Sequence, residues 1–183
     1  ASWSKVQLVR DNLESGDFFW VMDVDCLIMN YNIKVEDFVD QTHDVFITCY
    51  QNNIEFLNTG SIIYRNTPWT KWLLKEIYDG YKYPIDGPNV FYEQSALISY
   101  YKSHPEEQYR FKMISVRSIN SHFHAGFNDP KWNVNYIHGE DLCIHAAGTD
   151  NNFRFETFKE LENWIIRQGD SIKEGFNVVF WNK

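Results

Sequence analysis

Asp23 and Asp25 stand one residue apart at the end of the apolar run FFWVM, residues 18 to 22. In an extended segment, alternate side chains share a face, so both carboxylates can point the same way. Two like charges side by side repel, and one carboxyl would hold its proton unless a cation is shared. A hard divalent ion such as Mg²⁺ or Mn²⁺ prefers carboxylate oxygens and keeps positions open for phosphate oxygens. The competing reading is a solvated turn. The abrupt end of a buried strand favours the cation.

Histidines are the next candidates. His145 follows DLCI and precedes Ala146-Ala147-Gly148, where small residues let backbone come close to a bulky anion. Its imidazole would suit Mn²⁺ better than Mg²⁺ as a third ligand, or it is a satisfied core histidine. His122 and His124, in HFH, could face one side of a strand and hold a metal, or form a polar loop pair. His138 has no supporting context. Asn58-Thr59-Gly60 interrupts an apolar strand, either offering donors to a hydroxyl-rich substrate or forming a structural bulge. Glu93 and Gln94 lie in the first turn of a helix, where the dipole alone would explain the acid.

The elements that must carry these residues alternate. A helix is expected over 4–15, with Val6, Val9 and Leu13 on one face, Ser4 as N-cap and Gly16 as stop. Strands are expected at 18–22, 43–50, 55–66, 109–119 and 141–148. A second helix opens at Thr67-Pro68 and carries Trp69, Trp72, Leu73, Ile77 and Tyr81. After an Asp86-Gly87-Pro88 turn come a helix at 91–103, a long aromatic loop at 120–140, and an amphipathic helix at 157–168 with Phe158, Leu161 and Ile165 inward. Such alternation predicts an α/β domain with a mostly parallel or mixed sheet, with ligands at the carboxyl ends of strands.

Composition narrows the function. The 183 residues suit one domain, and 44% hydrophobic with 17% aromatic content is that of a globular chain. A net charge of −8, with Lys and Arg scattered, argues against nucleic acid as partner. Cys26, Cys49 and Cys143 are an odd number at wide spacings, so they read as buried small hydrophobes rather than a disulfide framework or zinc site. There is no Asn-x-Ser/Thr sequon and no apolar stretch long enough to cross a bilayer. A reducing, cytosol-like compartment is expected for this stretch, or the Golgi lumen if an anchor lies outside it.

Four blocks in order resemble a GT-A-type glycosyltransferase of family 34, the galactosyl- and xylosyltransferases of galactomannan and xyloglucan synthesis, with fungal mannan-type relatives. They are SWSKVQLVRDNLESGDFFWVMDVDCLIMN, FLNTGSIIYRNTPWTKWLL, YEQSAL and IHAAG. A source among large DNA viruses of algae, which encode soluble enzymes of this kind, is one expectation. The resemblance implies a GT-A-type, Rossmann-like mixed sheet flanked by helices, forming one catalytic domain over 1–183. Only 22 residues precede Asp23, so the N-terminal strand or strands of the nucleotide lobe are expected to be missing.

The implied activity is metal-dependent transfer of a hexose or pentose, with retention, from a UDP- or GDP-sugar to a glycan or glycoprotein acceptor. Mn²⁺ (or Mg²⁺) would sit on Asp23, Asp25 and His145. Asn58, Thr59, Gly60 and Gly148 would lie near donor or acceptor, Lys5 would reach the diphosphate, and Glu93 and Gln94 would meet the donor sugar. Two departures stand out: Ala146-Ala147 where relatives carry bulkier residues, and no basic residue at 149–151 to clamp the diphosphate. The rival readings are a two-metal phosphoesterase using the same carboxylates with HFH, and a metal-free carbohydrate-binding module.

Overall fold

The fold comes from a computed structural model that describes residues 2–50, 53–79, 92–122 and 136–161, apart from 138, 149, 153, 157 and 160. The first helix, α1 (Ser2–Asn12), runs into a 3-10 turn at Leu13–Ser15 that ends at Gly16. It starts ahead of Ser4, so the expected cap is an interior residue instead. Its inward residues are the expected ones: Val6, Val9 and Leu13 are buried.

Two sheets follow. The larger has the order β1 (Phe18–Met22), β4 (Leu57–Arg65), β3 (Val45–Cys49), β5 (Phe111–Ile114). β4 is antiparallel to both of its neighbours, and only β3 and β5 run parallel. The smaller sheet orders β2 (Cys26–Ile28), β7 (Cys143–His145) and β6 (Ser121–His122), with β2 antiparallel and β6 parallel to β7. This is the mixed sheet flanked by helices that the sequence predicts.

The core is set by strand alternation. On one face of the larger sheet, Val45, Ile47, Ile62 and Tyr64 pack with α1, α2 (Pro68–Tyr78) and α3 (Tyr92–Ser103) through Leu73, Leu74, Ile77, Leu97 and Tyr100. On the other face, Phe46 and Ile63 meet Ile114, Ile119 and Leu142. All five β3 residues are buried, as both covered faces require. Thr67 caps α2 as expected, its hydroxyl accepting from the Thr70 N–H at 3.1 Å with Pro68 in the first turn.

Two expected strands are shorter than the apolar pattern suggests, and an expected loop starts differently. The strand read over 109–119 is strand only at 111–114. It is preceded by a 3-10 turn at Pro105–Arg110 and followed by the single helical turn α4 (Val116–Ile119). The strand read over 141–148 is strand only at 143–145. The loop read over 120–140 begins as a buried strand, β6. In each case a short apolar run meets both periodicities, and packing decides between them. Tyr81 and the 86–88 turn lie outside the described residues.

Asp44, just ahead of the inner strand β3, ties the sheet to two later elements. Its buried carboxylate accepts from Arg110 Nη1 at 2.7 Å and from the Thr67 hydroxyl at 3.0 Å. Asp44→Ala removes one of the two carboxylates beside Arg110 and the acceptor of the Thr67 hydroxyl. It is expected to cost about 2 kcal/mol, read as a lower denaturant midpoint at an unchanged slope.

Candidate active site

The Asp-x-Asp segment is the corner where the chain leaves one sheet for the other. The Asp23 N–H donates to the Gly60 carbonyl at 2.7 Å, extending the β1–β4 pairing. The Asp25 carbonyl accepts the Ala146 N–H at 2.9 Å, extending the β2–β7 pairing. Cys26 N–H closes the turn onto the Asp23 carbonyl at 3.0 Å. The two acids therefore do not share a face, as the extended reading expects. Each belongs to a different cluster.

Asp23 joins a network around Lys5. Lys5 Nζ donates to Asp23 Oδ1 and to the Thr59 carbonyl, both at 2.8 Å, and lies 3.0 Å from Glu93 Oε1. The Thr59 hydroxyl donates to the same Glu93 oxygen at 3.2 Å, and the Thr59 N–H to Gln94 Oε1 at 3.1 Å. Burial alone would favour neutral Lys5, but the charges of Asp23 and Glu93 outweigh it and raise its pKa. Glu93 is only 7% exposed, and its Oε2 finds no hydrogen-bond partner among the described residues. It follows Tyr92, whose φ of 45° is left-handed, a conformation that costs a bulky residue on the order of 1–3 kcal/mol.

Asp25 joins His145. Its Oδ1 lies 3.3 Å from His145 Nε2, and its Oδ2 lies 3.3 Å from Arg154 Nε. Burial would raise the Asp25 pKa, but the hydrogen bond and charge of His145, with the charge of Arg154, lower it below the usual carboxylate range. The other imidazole nitrogen is committed. His145 Nδ1 lies 2.7 Å from Asn120 Oδ1. The Asn120 amide nitrogen donates to Thr48 Oγ1 at 2.8 Å and to Asn58 Oδ1 at 2.9 Å, which fixes its oxygen toward the ring. Nδ1 therefore carries a proton, and Nε2 faces a carboxylate oxygen. That pair is favourable only with a second proton on the ring or a cation between the two groups.

Asn58-Thr59-Gly60 supplies the space for this ring. Pairing of β3 with β4 jumps from Ile47↔Ile62 to Thr48↔Asn58, so residues 59–61 form the expected bulge. A Cβ on Gly60 would lie 2.1 Å from His145 Cε1 and 2.8 Å from Asn58 Oδ1. The glycine is required by contact with the histidine.

Among the described residues, the acidic, thiol and imidazole side chains close enough to share an ion are Asp25, Cys26 and His145, with donor atoms within 4.8 Å of one another. An imidazole, a carboxylate and a neighbouring thiol fit Mn²⁺ better than Mg²⁺. Asp23 is not in this group. His122 is buried and hydrogen-bonded to the Tyr50 hydroxyl, and burial with the nearby His145 pushes its pKa down to about 3. His124 and His138 lie outside the described residues. Gly148 sits in a turn at φ +71°, with open space where a Cβ would be.

Arg154 and Asn120 are the residues the sequence reading missed. The expected helix at 157–168 begins earlier. Residues 151–161 are helical where described, Asp150 accepts the Asn152 N–H at 3.0 Å as N-cap, and residues from 162 lie outside the described part. Asp150 ahead of a helix is a legible cap, and it brings Arg154 one turn in. Asn120 carried no signal, because it falls at the start of what reads as a loop. An open cleft of about 570 Å³ faces Asp25, lined by Val24, Arg154, Phe155, Phe158 and Lys159.

Comparison with known proteins gives three findings. The family model described as "galactosyl transferase GMA12/MNN10 family" matches residues 37–155. An uncharacterized alpha-1,2-galactosyltransferase of Schizosaccharomyces pombe is 25% identical over 193 residues, covering 86% of this chain and 48% of the relative. The probable alpha-1,6-mannosyltransferase MNN10 of Saccharomyces cerevisiae is 23% identical over 195 residues, covering 87% and 49%. The chain thus spans about half the length of the curated relatives it matches. In fold it is similar to a solved glycosyltransferase involved in glycosylation of the major capsid of PBCV-1. The TM-score is 0.62 at 17% identity, covering 87% of this chain and 73% of that one.

Gly60→Ala should be disruptive at a position where strand propensity alone predicts a gain. The expected result is a loss of about 1–3 kcal/mol on denaturant unfolding, with the His145 ring displaced. Unchanged stability would show that the ring does not rest against residue 60.

Proposed function

The chain belongs to the galactosyl transferase GMA12/MNN10 family, and from that membership we propose that it moves a hexosyl group from a nucleoside diphosphate sugar to a glycan acceptor. In this reaction the bond from the anomeric carbon to the diphosphate oxygen breaks and a bond to an acceptor hydroxyl oxygen forms. The hydroxyl proton passes to the leaving phosphate oxygen. Retention of configuration is part of the proposal, and so are the UDP or GDP donor and the divalent cation.

The observation that carries it is the Nε2 of His145 held against Asp25 Oδ1 at 3.3 Å while Nδ1 is engaged by Asn120. A hydrogen-bond partner on the far ring nitrogen fixes the tautomer and aim of a metal-binding histidine. Asp25 and His145 would hold Mn²⁺, with Cys26 adjacent and Asp23 across the turn. A bound cation supplies Lewis-acid stabilisation of the departing diphosphate. Arg154, at the mouth of the same cleft, would take diphosphate oxygens with its planar donors.

The Lys5 network has a different part in this reading. Lys5 pairs with Asp23 and with the buried Glu93, so in this reading it balances their charge and fixes both beside the bulge. Glu93, paired with Lys5 beside the bulge, would stabilise positive charge developing at the anomeric carbon. Gln94 holds the Thr59 backbone and thereby the bulge. The phosphoesterase reading needs a second metal site, and His122, its expected ligand, is engaged by Tyr50. The binding-module reading gives no reason for an imidazole aimed at a carboxylate.

Calorimetric titration with UDP and GDP, each with and without Mn²⁺, tests the proposal. Binding should require Mn²⁺ and should weaken at least about 100-fold in Asp25→Asn. Chelator-resistant binding, or an unaffected Asp25→Asn variant, would contradict it. Asn120→Ala should weaken Mn²⁺ binding by about 10–100-fold with the ligands themselves untouched.

A further inference from the structure

Two side chains meet Asp25 at once, His145 at one carboxylate oxygen and Arg154 at the other. Arg154 Nε donates to the Ala146 carbonyl at 3.2 Å and lies 3.3 Å from Asp25 Oδ2 as an ion pair. The N–H is committed to the carbonyl, so Asp25 is held by charge at a long distance and not by a short bidentate bond. The same guanidinium reaches Asn151 Oδ1 through Nη1 at 3.5 Å. Its side chain is 29% exposed at the cleft mouth, so the pairing is screened and readily exchanged.

We infer that Arg154 is a positioning residue that exchanges Asp25 for the diphosphate and so makes binding of the cation and of the diphosphate interdependent. This rests on the metal-dependent transferase reading above. With no diphosphate present, Arg154 competes with a divalent ion for the Asp25 carboxylate, and the two positive charges repel. A diphosphate offers oxygens to both. Arg154 then turns to phosphate, Asp25 is left to the metal, and the repulsion is offset by the ligand's negative charge. Each ligand thus removes a cost borne by the other, and the strengthening is the same factor in both directions.

Lys159 lines the same cleft without an ion pair to Asp25 among the described residues. It provides the control, because removing it takes away a positive charge without removing the contact.

The test counts free Mn²⁺ by electron paramagnetic resonance. Wild type, Arg154→Gln, Arg154→Lys and Lys159→Gln are each titrated without nucleotide and with saturating UDP or GDP. In wild type, the nucleotide should tighten Mn²⁺ binding by a factor within the usual allosteric range, about 5–150-fold. Arg154→Gln should bind Mn²⁺ alone more tightly than wild type and lose most of the nucleotide-induced tightening. Arg154→Lys, with a charge on a flexible stem, should restore part of it. Lys159→Gln should keep the wild-type factor. An Arg154→Gln variant that keeps the wild-type factor, or binds Mn²⁺ alone more weakly, overturns the inference while leaving the transferase reading intact. Equal loss of the factor in Lys159→Gln also overturns it, since bulk charge then explains the effect. Wild type that binds no Mn²⁺ with either nucleotide overturns both.

Discussion

A histidine nitrogen aimed at a carboxylate oxygen from 3.3 Å needs a reason to stay there, and most of the site supplies one. Asn120 holds Nδ1 from behind, Thr48 and Asn58 hold Asn120, and Gly60 leaves the volume in which the ring lies. Remove any of these and the ring is free to turn. Because Nδ1 is already a donor, Nε2 must meet Asp25 through a proton or a metal. This constraint gives the β4 bulge its purpose: without residues 59–61 leaving the β3 register, neither the Asn58 oxygen nor the glycine would reach the histidine.

The two sheets make that meeting possible. Asp25 ends the turn that carries the chain from β1 into β2, and His145 pairs directly across from Cys26 on β7. Met22 pairs with Ser61 in the other sheet, one residue from the glycine under the ring. The site is therefore a seam at which backbone hydrogen bonds from both sheets converge on residues 23 to 26. Asp23 and Asp25 part at this seam, one toward the Lys5–Glu93 cluster and one toward the imidazole. Separate surroundings for the two acids, one paired with lysine and one facing the cleft, follow from the turn between them.

Much of this was legible in sequence. The strand ending ahead of Asp23, the Thr67-Pro68 helix start and the bulge at Asn58-Thr59-Gly60 all follow from local chemistry that packing did not override. The misses have physical causes. Strict alternation placed Asp23 and Asp25 on one face, but the chain turns at Val24, which is 90% exposed, so the period of two ends there. Lys5, which the resemblance places near the diphosphate, pairs with Asp23 and Glu93 under the bulge, a contact that its place on α1 sets and the sequence does not show. Asn120 was hidden because a polar residue after a short apolar run looks like loop. Arg154 was hidden behind an N-cap, Asp150, that was not recognised as one.

The central claim is that Asp25 and His145 Nε2 share one divalent ion. Anomalous diffraction at the manganese edge, from crystals grown with Mn²⁺ and a nucleoside diphosphate, tests it directly. The account predicts one strong peak between the Asp25 carboxylate and His145 Nε2, with Nδ1 still on Asn120 and the Arg154 guanidinium moved onto phosphate. A peak bound elsewhere, or an imidazole turned to present Nδ1 to the metal, would contradict it.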